Sequence, residues 1–163
     1  DIASIGGGGK TAMLTAFPAA RGLFHRAIIQ SGACSTPLRT LAEAEAFALR
    51  LGWILGAKVR LPTPAEFTAA AGDLGKPTLQ AQAWTAENTD GTSVHLVGSS
   101  EANAAGIHDL LGNVEEWALA SPGDTRAPVL GGSILTPLGK GLSARSVFKR
   151  EKSRTLGFRI VIE

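Results

Sequence analysis

At 163 residues the chain is long enough for one domain, or a domain with an extension, around a sizeable core. An apolar fraction of 44 % with 18 % charged residues excludes a disordered chain, and a formal net charge of +2 makes no electrostatic case for a nucleic-acid partner. The single cysteine, Cys34, excludes an internal disulfide, a cysteine-based zinc site and any mechanism that needs two thiols.

Twenty glycines and eight prolines describe a turn-rich protein of many short elements rather than a helical bundle. No apolar run approaches the ~20 residues that span a bilayer, so no membrane partner is expected. No charged start, apolar stretch and cleavage site open the chain. The compartment stays unknown.

Residues 1–39 differ in character from the rest and form an N-terminal extension. Four glycines at 6–9 precede Lys10 and Thr11, close to a phosphate-binding G-x-x-x-x-G-K-[ST] loop. Ser4 stands where its first glycine belongs, almost no strand precedes it, and no acidic strand for Mg2+ is evident. A turn-forming glycine run is the simpler reading. Residues 11–17 read as a helical turn or two ended by Pro18, and residues 27–30 as a short apolar strand closed by Ser31 and Gly32.

Thr40 opens the clearest helix. It is a capping residue with Glu43 three positions on, and Leu41, Ala44, Phe47, Ala48 and Leu51 recur at helical spacing. Gly52 is expected to end it. A strand follows at 58–61. Thr63 then caps a second helix with Pro64 at its first position and Glu66 three after the cap, ending near Ala71 before Gly72. Periodicity is weak from 72 to 97, where Trp84 is the anchor and residues 94–97 are a strand candidate. Residues 129–134 and 157–162 read as strands, the latter with Phe158, Ile160 and Ile162 on one face and Arg159 and Val161 on the other. The basic run from Arg145 to Arg159 reads as a solvated strand–loop–strand.

Between 103 and 117 the sequence NAAGIHDLLGNVEEW concentrates chemistry. Gly112 and Asn113 supply a corner that tolerates positive φ. Asp109 and Glu116 flank the carbonyls of Gly112 and Val114, an oxygen-rich pattern suited to Ca2+. The other reading is that Asp109 and Glu116 cap turns and pair with arginines such as Arg159. Trp117 is expected beneath the loop. His25, His95 and His108 read as surface or packing residues.

Four stretches in one order carry a resemblance: KVRLPTPAEFTAAAG at 58–72, AWTAENTDGTSVHLVGSSEANAAGIHDLLGNVEEWA at 83–118, VLGGS at 129–133 and TLGFRIV at 155–161. Together they resemble the formylglycine-generating-enzyme and sulfatase-modifying-factor family, over residues 40–163. The resemblance implies an α+β domain of the C-type lectin type, with a twisted antiparallel sheet, two helices and much irregular structure. It also implies Ca2+ at Asp109, the Gly112 and Val114 carbonyls and Glu116. Glu115 stands where the family usually has Trp. The family's active enzymes carry copper-binding cysteines three and eight residues after the serine of the GGS motif. Here those positions are Thr136 and Gly141, so no copper and no catalytic residue are expected.

Residues 17–37, FPAARGLFHRAIIQSGACSTP, resemble the stretch after the nucleophile elbow of type-B carboxylesterases. No G-x-S-x-G frames Ser4, so a remnant without an esterase site is expected.

With the catalytic positions emptied, the resemblance leaves binding as the expected role, at the segment after GGS, residues 134–153. Its candidate contacts are Ile134, Leu135, Thr136, Pro137, Leu138, Lys140, Arg145, Ser146, Phe148 and Lys149, a mixture of apolar, hydroxyl and basic side chains. The partner expected is a protein or small-molecule ligand. The layout is similar to that of variable proteins of diversity-generating retroelements. The alternatives are a sulfatase-modifying type of enzyme or accessory, or a structural component of an assembly.

Overall fold

The computed structural model describes residues 40–72, 82–138 and 144–163. The elements expected at 11–17 and 27–30 lie outside these residues, as do Cys34, Lys140 and Gly141. Among the described residues no helix is long and apolar enough to cross a membrane.

Helix α1, Leu41–Leu55, starts on a full capping box. The Glu43 N–H donates to Thr40 Oγ1 at 3.3 Å, and the Glu43 carboxylate accepts from the Thr40 N–H at 2.7 Å. Both satisfy donors that a helix start otherwise leaves open. Leu41, Ala44, Ala48 and Leu51 form its buried stripe. Gly52 does not end it. The helix continues to Gly56, whose left-handed φ of 62° makes the cap. Gly52 serves close approach instead, since a Cβ there would lie 2.8 Å from the Ala57 carbonyl oxygen.

Strand β1, Val59–Arg60, leads to helix α2, Pro64–Ala71. Thr63 and Glu66 form its capping box, Pro64 opens it, and the Gly72 N–H closes it on the Thr68 carbonyl. Phe67 is its buried residue. Strand β2, Ala83–Trp84, pairs in parallel with β3, Leu111–Gly112. Residues 94–97 form no strand. The Asn113 side chain clamps this stretch, accepting from the His95 N–H at 2.9 Å and donating to the His95 carbonyl at 3.2 Å.

The main sheet holds β4 (Glu115–Trp117), β5 (Arg126–Leu130), β6 (Arg145–Phe148) and β7 (Leu156–Phe158) in the order β6-β5-β4-β7. It is mixed rather than wholly antiparallel, because β4 and β7 run parallel. β5 ends at Leu130, short of the expected 134, where Gly131 and Gly132 take φ of 87° and 68°. The expected single strand at 157–162 is two. β7 pairs with β4, and β8, Val161–Ile162, pairs with β1. The alternation survives the change of partner: Phe158 and Ile160 are buried in one core, and Ile162 packs against it.

Side chains alternate across the sheet. One face carries Trp117, Ala127, Val129, Val147, Leu156 and Phe158 into a core closed by the apolar stripe of α1. The Phe47 and Phe158 rings meet edge to face there at 5.4 Å. On the other face Leu130 joins Phe67, Ala83, Leu110, Leu111 and Ala118. Trp117, wholly buried, belongs to the first core, whereas Leu110 and Leu111 of the loop that precedes β4 pack in the second, on the opposite face, so Trp117 is not beneath that loop as expected.

Candidate functional site

The loop around Asp109 is built on backbone geometry. Asp109 and Asn113 have φ of 51° and 58°, and Gly112 has 72°. A Cβ on Gly112 would lie 2.0 Å from the Trp84 carbonyl oxygen, so only glycine admits β2 here. The Asp109 carboxylate accepts from the Gly98 N–H at 2.5 Å and the Ser100 N–H at 3.3 Å. The Glu116 carboxylate is held by Arg159 through Nε and, at 2.7 Å, Nη2. That Nη2 also donates to the Asp109 main-chain carbonyl at 3.1 Å.

These residues do not fit Ca2+ in this arrangement. One of the two carboxylates expected as ligands already carries a buried guanidinium, and the other caps main-chain N–H groups. The Gly112 N–H donates to the carbonyl of Gly131, just past β5, at 2.7 Å. Val114 is buried. Among the described residues no group of three or more His, Cys, Asp or Glu side chains is placed to hold a metal. The arrangement is that of turn caps and an arginine pair. Arg159, expected in a solvated run, is 5 % exposed.

The histidines 95 and 108 do not meet. His95 stacks on Trp84 with ring centroids 3.9 Å apart and planes 9° off parallel. His108 Nδ1 lies 2.7 Å from the Ser100 carbonyl oxygen.

The segment after Ser133 divides in two. Its first part is a turn anchored from below by Ile134, which is fully buried and so is framework rather than a ligand contact. The Ile134 N–H donates to the Asn113 carbonyl, and its own carbonyl accepts from Thr89 Oγ1 at 3.1 Å. Thr136 Oγ1 accepts from the Ser133 N–H at 3.0 Å. A turn-closing hydroxyl therefore occupies the position where copper chemistry needs a thiolate, and copper does not fit. Leu135 is 54 % exposed and Pro137 is exposed beside it. Leu138 packs half-buried on the second core, its N–H donating to both Glu87 carboxylate oxygens at 3.0 Å. The Thr85 hydroxyl, then this N–H, hold the Glu87 carboxyl below its ordinary range.

The second part is β6 and its exit. Arg145 lies on the α1 side of the sheet and engages both oxygens of Glu115. Glu115, at the position of the family's Trp, is thereby a nearly buried ion-pair partner. Ser146 and Phe148 face the opposite way and are exposed. Lys149 is half-buried and acts through its backbone, donating to Thr125 and accepting from the Leu41 N–H at 3.1 Å, which ties the sheet to the start of α1.

Arg126, Arg150 and Arg154 are not among the expected contacts. Arg126 lies 4.4 Å from the Phe148 ring centroid and Arg150 5.8 Å. Arg154 donates to the carbonyls of Thr92 and Gly91, fixing the loop below Leu135. Arg126 precedes the GGS motif, and only the register Arg126↔Phe148 brings it to the segment.

Residues 40–163 match the family model for the sulfatase-modifying factor enzyme 1-like domain. No curated protein sequence matches the chain. Among solved structures, Treponema denticola variable protein 1 superposes with a TM-score of 0.67 at 20 % identity, over 78 % of this chain and 70 % of that one. PvdO from Pseudomonas aeruginosa gives 0.65 at 22 % identity, over 78 % of this chain but 61 % of PvdO. CarF gives 0.63 at 18 % identity, over 94 % of this chain and 81 % of CarF. At these identities the likeness is one of fold, the C-type-lectin-like fold of formylglycine-generating enzymes.

Proposed function

The chain belongs to the sulfatase-modifying factor enzyme 1-like family, and on that premise we propose that it is a noncatalytic binding protein that presents the segment after Ser133 to a protein or small-molecule ligand. The observation that carries this reading is the division of labour within the segment. Ile134, at 0 % exposure, and Val147, at 1 % and part of the first core, anchor it from beneath. Leu135 and Phe148, at 54 % and 47 %, stand outward from those anchors with Ser146 and Pro137. A rigid framework that exposes apolar and polar neighbours suits recognition. The same alternation suits a variable protein of a diversity-generating retroelement, since the outward side chains can change without touching the core. The likeness in fold to a Treponema denticola variable protein supports that layout.

The absence of an enzyme reaction rests on Thr136 and Gly141, which replace the two thiols. Titration with Cu(I), followed by challenge with a cysteine-containing peptide, is expected to give neither binding nor turnover. Copper uptake with formylglycine formation would overturn the reading. For the variable-protein arm, the gene is compared with any nearby template repeat. Differences at adenines confined to codons 134–153 are expected. An invariant segment, with neither template nor reverse transcriptase nearby, removes that arm.

A further inference from the structure

Strand β6 is the outer strand of the main sheet, and none of the described residues pairs on its far side. Its register with β5 sets Arg126 beside Phe148 and Pro128 beside Ser146 on the face away from α1. Arg126 crosses the Phe148 ring and donates from Nη2 to the Ser146 carbonyl at 2.5 Å. Arg150 approaches the same ring. Arg60, Arg145 and Arg159 each hold a carboxylate. Arg126 and Arg150 hold none among the described residues, so two guanidinium groups meet solvent around an exposed aromatic ring.

Of the main chain beside them, the Ser146 carbonyl is taken by Arg126 and the Phe148 carbonyl by the Glu151 N–H at 2.8 Å, which leaves the N–H groups. The Pro128 carbonyl accepts from the Ala118 N–H, toward β4. By the alternation of an antiparallel ladder, Ala127 and Val129 then turn to β6 and meet Val147 and Arg145. The N–H groups of Ser146 and Phe148 therefore point outward.

We propose that an extended acidic segment of a partner protein adds to this edge as a further strand. Its main chain would take the Ser146 and Phe148 N–H groups. Its Asp or Glu carboxylates would take the guanidinium groups of Arg126 and Arg150, and an apolar side chain two residues away would cover Phe148. The N–H spacing of a strand edge matches a peptide backbone. Phe148 is already engaged by guanidinium groups, which favours carboxylates over a stacked base. This rests on the binding reading above and gives it one chemistry.

The test uses the 15N-labelled full chain and a short capped peptide, Asp-Thr-Val-Thr-Asp, which sets Asp and Val on one strand face. Saturable shifts are expected at Arg126, Ser146, Phe148 and Arg150, with the Ser146 and Phe148 amides exchanging about tenfold more slowly. An Asn-for-Asp peptide, and the Arg126→Gln/Arg150→Gln variant, should each weaken binding by about tenfold. Because both arginines are exposed, that variant keeps its fold, as an unchanged spectrum elsewhere would show. Shifts without slowed exchange at Ser146 and Phe148 overturn the proposal, as does preferential binding of oligo-dT at these residues. Shifts gathered at residues 135–138 overturn it too, yet leave the binding reading standing. A silent titration overturns the edge alone, because copper uptake and the template comparison decide the wider reading independently.

Discussion

Arg159 reaches from the residue just past β7 to Glu116 on β4 and holds its carboxylate with two donors, both side chains being buried. Arg159 lies two residues beyond Gly157, which pairs with Glu116, so strand periodicity brings it to the same face. Its Nη1 has no hydrogen-bond partner among the described residues. The guanidinium carbon sits 5.6 Å from the Phe67 ring centroid, and the ring face supplies the attraction that an oxygen otherwise would. This pair ties β7, β4, the Asp109 turn and α2 together.

Replacing Arg159 with Met leaves Glu116 as a buried charge without its guanidinium, and should cost about 3–5 kcal/mol. Arg145→Met removes a pair whose arginine side chain is 51 % exposed, and should cost about 1 kcal/mol or less. Urea unfolding of the two variants measures the difference. Equal losses would show that the Glu116 pair is not what braces this loop.

The same geometry predicts the response to calcium. A cation at Asp109 and Glu116 would have to displace Arg159 and leave its guanidinium buried and unpaired. The unfolding midpoint should therefore be the same in millimolar Ca2+ and in EGTA. A bound ion far above its dissociation constant would add ~2–3 kcal/mol, so a clear rise in Ca2+ would reinstate the ion and require Arg159 to move.

Two glycines with similar backbones should respond very differently to alanine. Gly56 has φ 62°, and a Cβ added there would meet nothing within 4 Å, so Gly56→Ala should cost about 1 kcal/mol from the left-handed conformation alone. Gly112 has φ 72°, and the Trp84 carbonyl lies 2.0 Å from where its Cβ would be. Gly112→Ala should exceed about 4 kcal/mol or prevent folding. Denaturation that places the two within experimental error would contradict the close pairing of β2 and β3.

Local signals were legible in the sequence and distant ones were not. Thr40 with Glu43, and Thr63 with Pro64 and Glu66, announce helix starts because a cap is satisfied within four residues. Phe158 and Ile160 keep their alternation because it depends only on the strand period. Gly52 misled because a missing side chain marks a helix end and a close approach alike. The partner of Glu116 lies 43 residues away, so a carboxylate beside carbonyls reads equally as a metal ligand or as half of an ion pair. Ile134 and Leu135 are neighbours in a turn, where no period tells the buried one from the exposed. Arg126 joins Phe148 through strand register, which nothing in the segment itself encodes.

Glu66 gives the helix α2 cap a pH dependence of defined sign. Hydrogen bonds from Arg60, then from the Thr63 N–H and hydroxyl, lower its carboxyl from an ordinary 4.5 to about 2. The folded state thus keeps Glu66 ionised where the unfolded chain already binds a proton. Its contribution is complete above about pH 4.5 and is lost as pH falls toward 2. Glu66→Gln retains an acceptor for the Thr63 N–H but removes the charge that Arg60 binds. Thermal midpoints of the wild type and this variant should converge as pH drops from 5 to about 2, the wild type being the more stable at the upper end. Asp90 and Glu87 are lowered too, away from Arg60, and give both proteins a common slope, whereas Glu163 shares Arg60 with Glu66. The difference between the curves therefore reports Glu66 together with its coupling to Glu163 through Arg60, and parallel curves would mean that its ion pair with Arg60 adds nothing to the fold.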